Sequence, residues 1–233
     1  MTRKEAETTD RDVPRTGVRG WRERMRTQSQ EAPDTEASND MRALNREWRR
    51  HTNSHIEGLR PLVDTSRDHV RGDAGAKLVL VEYGDYASAS CRTATAQVRD
   101  LRKRFGDELL FVFRNFTIAD AHPNAFSSAC AAEAAGAQGQ FWEMHDRIYA
   151  SDLGLEPAAT RGFARGIGLD MDQFDREIAD ETHDTRLFED FNSGVDSGVN
   201  GVPTFFVNGA RLDWDFETKT LGEALEAASI GVP

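Results

Sequence analysis

At 233 residues, 38% of them hydrophobic and 30% charged, the chain has enough apolar material for one domain with a buried core plus a polar extension. Its net charge of -11 is uneven: residues 1–60 carry 13 basic and 11 acidic side chains, and the remainder carries 16 and 29. The acidic remainder argues against binding nucleic acid or an anionic lipid surface. No apolar run is long enough to cross a bilayer, and two cysteines are too few for a disulfide framework or a structural zinc site.

The first ten residues contain no apolar segment of the signal-peptide kind, so a cytoplasmic location is expected. Residues 1–40 are polar, without apolar periodicity, and read as disordered. Within them the basic run Arg11 to Arg26, around Trp21, reads as a solvated tail. Met41, Leu44 and Trp48 recur at helical spacing and predict a helix over about 38–58. His51 and His55 stand four apart on it, but no further ligand accompanies them, and no metal site is expected. The chain therefore divides into a tail, 1–60, and a folded domain, 61–233.

Lys77-Leu-Val-Leu-Val-Glu-Tyr83 is a short, nearly continuous apolar run, the pattern of a strand buried on both faces. Gly84 to Ala87 is a loop, and Ser88 is placed to cap a helix. Behind it, Cys91, Ala94, Val98, Leu101 and Phe105 form one apolar stripe. Leu109 to Arg114 is a second buried strand, completing a βαβ unit with a parallel pair. Five helical segments follow. His122-Pro123 opens the first, with Phe126, Ala129, Cys130 and Ala134 on one face. Phe141 to Tyr149 forms the second, and Pro157 starts a third that stops at Gly168. Met171, Phe174 and Ile178 mark a fourth, and Arg186 to Phe191 carries a fifth that ends near Gly194 and Gly198. Thr204 to Val207 is a strand, Asn208-Gly209 a hairpin turn and Ala210 to Trp214 the return strand. A last helix runs from about Thr218 to Ala228.

The element order and several local motifs resemble the DsbA-like family of thioredoxin-fold proteins. The motifs are Arg67 to Gly72, Leu80-Val-Glu-Tyr-Gly-Asp-Tyr86, Phe111-Val-Phe-Arg-Asn115, His122-Pro123, Gln138 to Asp146 and Gly201-Val-Pro-Thr-Phe-Phe-Val-Asn-Gly209. The resemblance implies an α/β domain: a thioredoxin fold with a helical insertion between its βαβ and ββα halves. It also implies thiol–disulfide chemistry on protein or peptide thiols, without a resident cofactor.

One departure alters that expectation. The family's loop reads Cys-Pro-x-Cys, whereas this chain has Ser88-Ala89-Ser90-Cys91. Asn115 also stands where relatives commonly have histidine, and Thr117 where they commonly have proline. A dithiol exchanger needs an attacking thiolate at the helix N-terminus and a second thiol that resolves the mixed disulfide. With Ser88 in the attacking place, the degenerate motif leaves at most monothiol chemistry through Cys91.

Three readings stay open. The first is monothiol exchange, with Cys91 and Ser88 as the reactive site. In the second, a low-molecular-weight thiol of the glutathione type binds so that Ser88 stabilises its thiolate, as in related transferases and isomerases. The third is a non-catalytic peptide-binding module. By resemblance, Pro203 is the family's cis proline and the Val202 backbone offers its N–H and C=O to the ligand. His145 and Asp146 are candidate bases without an identified reacting group. The readings separate on Cys91: exposed and acidic for the first, buried for the third.

Overall fold

The computed structural model describes residues 58–118, 121–152, 154–212 and 221–230. The tail readings at 1–40, the helix over 38–58, the histidine pair and Trp214 lie outside the described residues. Five strands form one sheet: β1 (His69–Arg71), β2 (Leu78–Gly84), β3 (Leu109–Asn115), β4 (Thr204–Val207) and β5 (Ala210–Arg211). Their order is β1-β3-β2-β4-β5. β2 and β3 run parallel, with Leu78 opposite Leu109 and Gly84 opposite Asn115. The other neighbouring pairs are antiparallel.

The period of two along β2 and β3 sends alternate side chains to opposite faces. Leu78, Leu80, Phe111 and Phe113 enter one core, built against the helices. Val81, Tyr83, Leu110 and Val112 enter a second, with Phe206, Phe116 and Val199. Burial on both faces is why these strands read as continuous apolar runs.

Helix α1 (Ala89–Phe105) joins β2 to β3. It buries Cys91, Ala94, Val98 and Leu101, the face its sequence spacing predicts. Gly106, at φ 53°, ends it, since left-handed backbone suits glycine. The insertion is α2 (Ala125–Gly136), α3 (Phe141–Ala150), α4 (Pro157–Gly166), α5 (Met171–Ala179) and α6 (Asp184–Asp196), and α7 (Leu221–Ile230) closes the chain. Asn208 and Gly209, at φ 49° and 83°, make the turn between β4 and β5. Two successive positive φ values are what a type I′ hairpin requires. Asn208 also binds Val79 of β2, donating its N–H to the carbonyl (2.9 Å) and accepting the amide through Oδ1 (2.8 Å).

Several elements differ from the sequence expectation. β1 has no apolar run to announce it; it is short, half-buried and held by pairing with Phe111–Phe113. His122-Pro123 does not open a helix. Its ring is taken by Asp85, and α2 begins at Ala125. Cys130 on α2 is half-buried at the edge of the core. Ile178 is exposed, because the nine-residue α5 buries only Phe174 fully and packs Met171 at the edge of the core. The fifth insertion helix, by contrast, ends at Asp196, between Gly194 and Gly198 as expected, and the hydrogen of Gly194 lets the Phe116 ring approach to 2.5 Å of a Cβ position.

Candidate functional site

Ser88 adopts extended backbone (φ -81°, ψ 124°) and its Oγ accepts the Cys91 amide at 3.3 Å. This satisfies one free donor at the start of α1. The loop before it is held by Asp85, whose carboxylate accepts N–H groups from Ala87 (2.8 Å) and Ile118 (2.9 Å). The same carboxylate lies 2.9 Å from His122 Nδ1. That hydrogen bond raises the His122 pKa against the opposing effect of partial burial. His122 thus braces the loop carrying Ser88, a role sequence spacing does not disclose because the two residues stand on different segments.

Cys91 is 0% exposed and Ser88 5%. The Cys91 sulfur accepts the Asp85 N–H at 3.5 Å. Burial drives its pKa well above the ordinary thiol value, and the neighbouring Glu82 carboxyl adds to the rise. Thiolate character, which nucleophilic exchange needs, is therefore suppressed. The exposed, acidic thiol that monothiol exchange requires is not what the fold supplies at Cys91. The reason is its place on the inward stripe of α1, in the core that also holds Tyr86 and Leu80. Cys91 and Cys130 are both free thiols.

Glu82 follows from the strand alternation: it points to the same face as Leu80. It is buried, its Oε1 has no hydrogen-bond partner, and burial raises its pKa to about 8. A carboxyl in that state is held neutral at pH 7. Tyr86 packs against Phe113 and Tyr149, and its hydroxyl meets His145 Nδ1 at 3.2 Å. Burial, followed by the charges of Arg71, His69 and Arg102, pushes the His145 pKa well down. His145 is thus a neutral core imidazole. Asp146 forms a two-pronged ion pair with Arg71 on the surface. Neither is engaged with Ser88 or Cys91.

Pairing of Tyr83 with Thr204 puts the loop after β2 and the segment before β4 at the same end of the sheet. Ser88 and Val202–Pro203 therefore belong to one end of the domain. The Val202–Pro203 peptide bond is cis. Both residues are half-buried, with Val202 against both cores. Thr204 anchors the segment by donating its hydroxyl to the Gly201 carbonyl at 2.7 Å. Among the described residues no group of three or more His, Cys, Asp or Glu is arranged to hold a metal ion.

The family described as Thioredoxin matches residues 64–227. BdbD from Bacillus subtilis superposes with a TM-score of 0.65 at 18% identity, covering 75% of this chain and 98% of BdbD. A thioredoxin-like oxidoreductase from Silicibacter pomeroyi gives 0.62 at 24% identity, covering 72% and 92%. Among curated proteins, the Na(+)/H(+) antiporter NhaA 1 of Mycobacterium sp. strain KMS is 43% identical over 171 residues, which is 72% of this chain and 28% of the antiporter. The namesake from Salinispora arenicola is 42% identical over 169 residues, 26% of its length. The chain thus spans about a quarter of these relatives, and no helix among the described residues is long and apolar enough to cross a membrane. The matched family, over most of the folded region, and the shared architecture lead to one conclusion: this chain belongs to the thioredoxin family and has the fold of its DsbA-like thiol–disulfide exchange proteins.

Proposed function

We propose that the chain is a DsbA-like thioredoxin-fold module that binds an extended peptide beside Val202–Pro203 and performs no dithiol exchange. The observation that carries this reading is the state of Cys91. Its sulfur is fully buried, bonded by the Asp85 amide and held in the thiol form. Ser88, in the place where the family's attacking cysteine stands, has no ionisable thiol to offer and uses its oxygen to cap α1. The thiol-cofactor reading is weaker for the same reason: a hydroxyl that is 5% exposed and already engaged is poorly placed to hold a bound thiolate.

Peptide binding is supported by the backbone at the start of β4. An extended segment laid beside Val202 gains main-chain hydrogen bonds as an added strand does. The test uses the full chain. Labelling of Cys91 by a thiol reagent is followed against pH, with Cys91→Ala to separate the Cys130 signal. We expect Cys91 to react only on unfolding, and rapid labelling of the folded protein would restore monothiol exchange. In parallel, a thiol-free unstructured peptide is titrated into 15N-labelled protein. Shifts at the Ser88, Val202 and Thr204 amides support the groove, whereas shifts confined to another face remove it.

A further inference from the structure

A concave site lies between α1 and α3 and shares no residue with Ser88, Cys91, Val202 or Pro203. Its cavity measures about 350 Å³. Its lining includes Arg71 from β1, Arg92, Arg99 and Arg102 from α1, and His145 and Asp146 from α3, over an aromatic floor. Four guanidinium groups thus meet one carboxylate, on a domain whose overall balance is strongly acidic.

The four arginines are not equivalent. Arg71 is neutralised by Asp146 through bonds of 3.1 and 2.9 Å, and its guanidinium lies 4.5 Å from the Trp142 ring centre. Arg92 donates Nη1 to the backbone carbonyls of Tyr149 and Ser151 and keeps its charge. Arg99 and Arg102 have no carboxylate within ion-pair distance among the described residues. They stand three apart on α1, so both forks rise from one face of the helix. Burial, with the nearby Arg71 charge, lowers the Arg102 pKa against the opposing charge of Asp146, and burial, followed by the charges of Arg71, His69 and Arg102, lowers that of His145.

A planar guanidinium fork matches the two oxygens of a phosphate or carboxylate. A concave, partly apolar wall with a few convergent charges is the usual form of a small-molecule site. We propose that this cavity binds a small soluble organic phosphate, gripped by Arg99 and Arg102 and assisted by the charge of Arg92. Its apolar portion rests on Phe111 and Tyr149. Arg104 provides an internal control: it lies on the same helix but outside the cavity, in an ion pair with Glu226.

The test is calorimetric titration of the full chain with sodium pyrophosphate at low salt. Variants are Arg99→Gln, Arg99→Gln/Arg102→Gln and Arg104→Gln. Saturable binding is expected, weakened about tenfold or more by the double substitution and little changed by Arg104→Gln. Arg99 is exposed, so its single substitution reads the effect even if the double variant folds poorly. Absence of saturable binding, or equal loss in Arg104→Gln, overturns the proposal. Sedimentation with phosphatidic acid vesicles without binding of soluble pyrophosphate also overturns it, by assigning the oxyanion to a lipid headgroup.

Discussion

Arg114 and Asp68 form a bidentate ion pair in which neither side chain is exposed. Nε donates to Oδ1 and Nη2 to Oδ2, each at 2.9 Å. The remaining donors are also used: Nη1 reaches the Tyr83 hydroxyl (2.9 Å) and the Pro61 carbonyl (3.0 Å), and Nη2 the Leu62 carbonyl (3.3 Å). The pair ties the segment preceding β1 to the middle of the sheet. Removing one partner leaves an uncompensated buried charge, which costs roughly 3–5 kcal/mol. We expect that loss for Asp68→Asn and Arg114→Met separately, in urea denaturation. The double variant Asp68→Leu/Arg114→Met should lose less than the sum of the two, because no charge remains stranded.

Glu82 makes stability depend on pH with a definite sign. Its folded pKa, about 8, exceeds the ordinary 4.5. Between those values the unfolded chain releases a proton that the folded chain retains. Stability therefore falls as pH rises across this window, by at most about 1.4 kcal/mol per pH unit from this group. Glu82→Gln should flatten the profile between pH 5 and pH 8 and stabilise the protein most at the alkaline end. Chemical denaturation across that range measures both. An unchanged profile would mean that Glu82 is charged in the folded state.

His122 contributes with the same sign, but by holding a charge rather than by staying neutral. Its folded pKa is raised, first by the Asp85 hydrogen bond. The stability it supplies is fully present below the unfolded histidine pKa and disappears as pH rises through the higher folded value. His122→Ala should therefore destabilise the protein more at pH 5.5 than at pH 9, with the difference read from paired melts. Loss of the brace should also speed amide exchange at Ala87 and Ile118, whose N–H groups rest on the same carboxylate.

Ser88 caps α1, and Ser88→Ala should cost about 1 kcal/mol. Ser88→Cys would restore the spacing of a dithiol motif at a helix N-terminus, where thiolates are favoured. Incubation with oxidised glutathione should then consume both the new thiol and Cys91 in an internal disulfide, detected by thiol titration and mass. The unsubstituted chain should keep its folded Cys91 unmodified under the same conditions. Failure of the variant to close the bond would show that the loop no longer holds the geometry of exchange.

Much of this architecture is written in local pattern. The apolar runs at 78–83 and 109–114 report strands covered on both faces, and the Cys91-Ala94-Val98-Leu101 spacing reports the inward face of α1. Asn208-Gly209 specifies its turn through backbone conformations that few other residues adopt. β1 left no such trace, since three half-buried residues gain order from β3 rather than from their own pattern. Ile178 misled because helical spacing gives direction without saying how far a neighbour extends.

The sequence alone determined that the motif ends in one cysteine, that a serine heads the helix and that no internal dithiol pair is available there. Those are matters of covalent chemistry and do not wait on folding. Only the tertiary structure decided the protonation states around that motif. Burial is a property of what packs over a residue, and it is the first cause that keeps Cys91 a thiol and the one that makes Glu82 a neutral acid. It likewise placed His122 under Asp85, and drew Arg71 from β1 to three arginines of α1 around one cavity. Charges distant along the chain interact only once the fold brings them within a few ångströms, where exclusion of water makes their fields count.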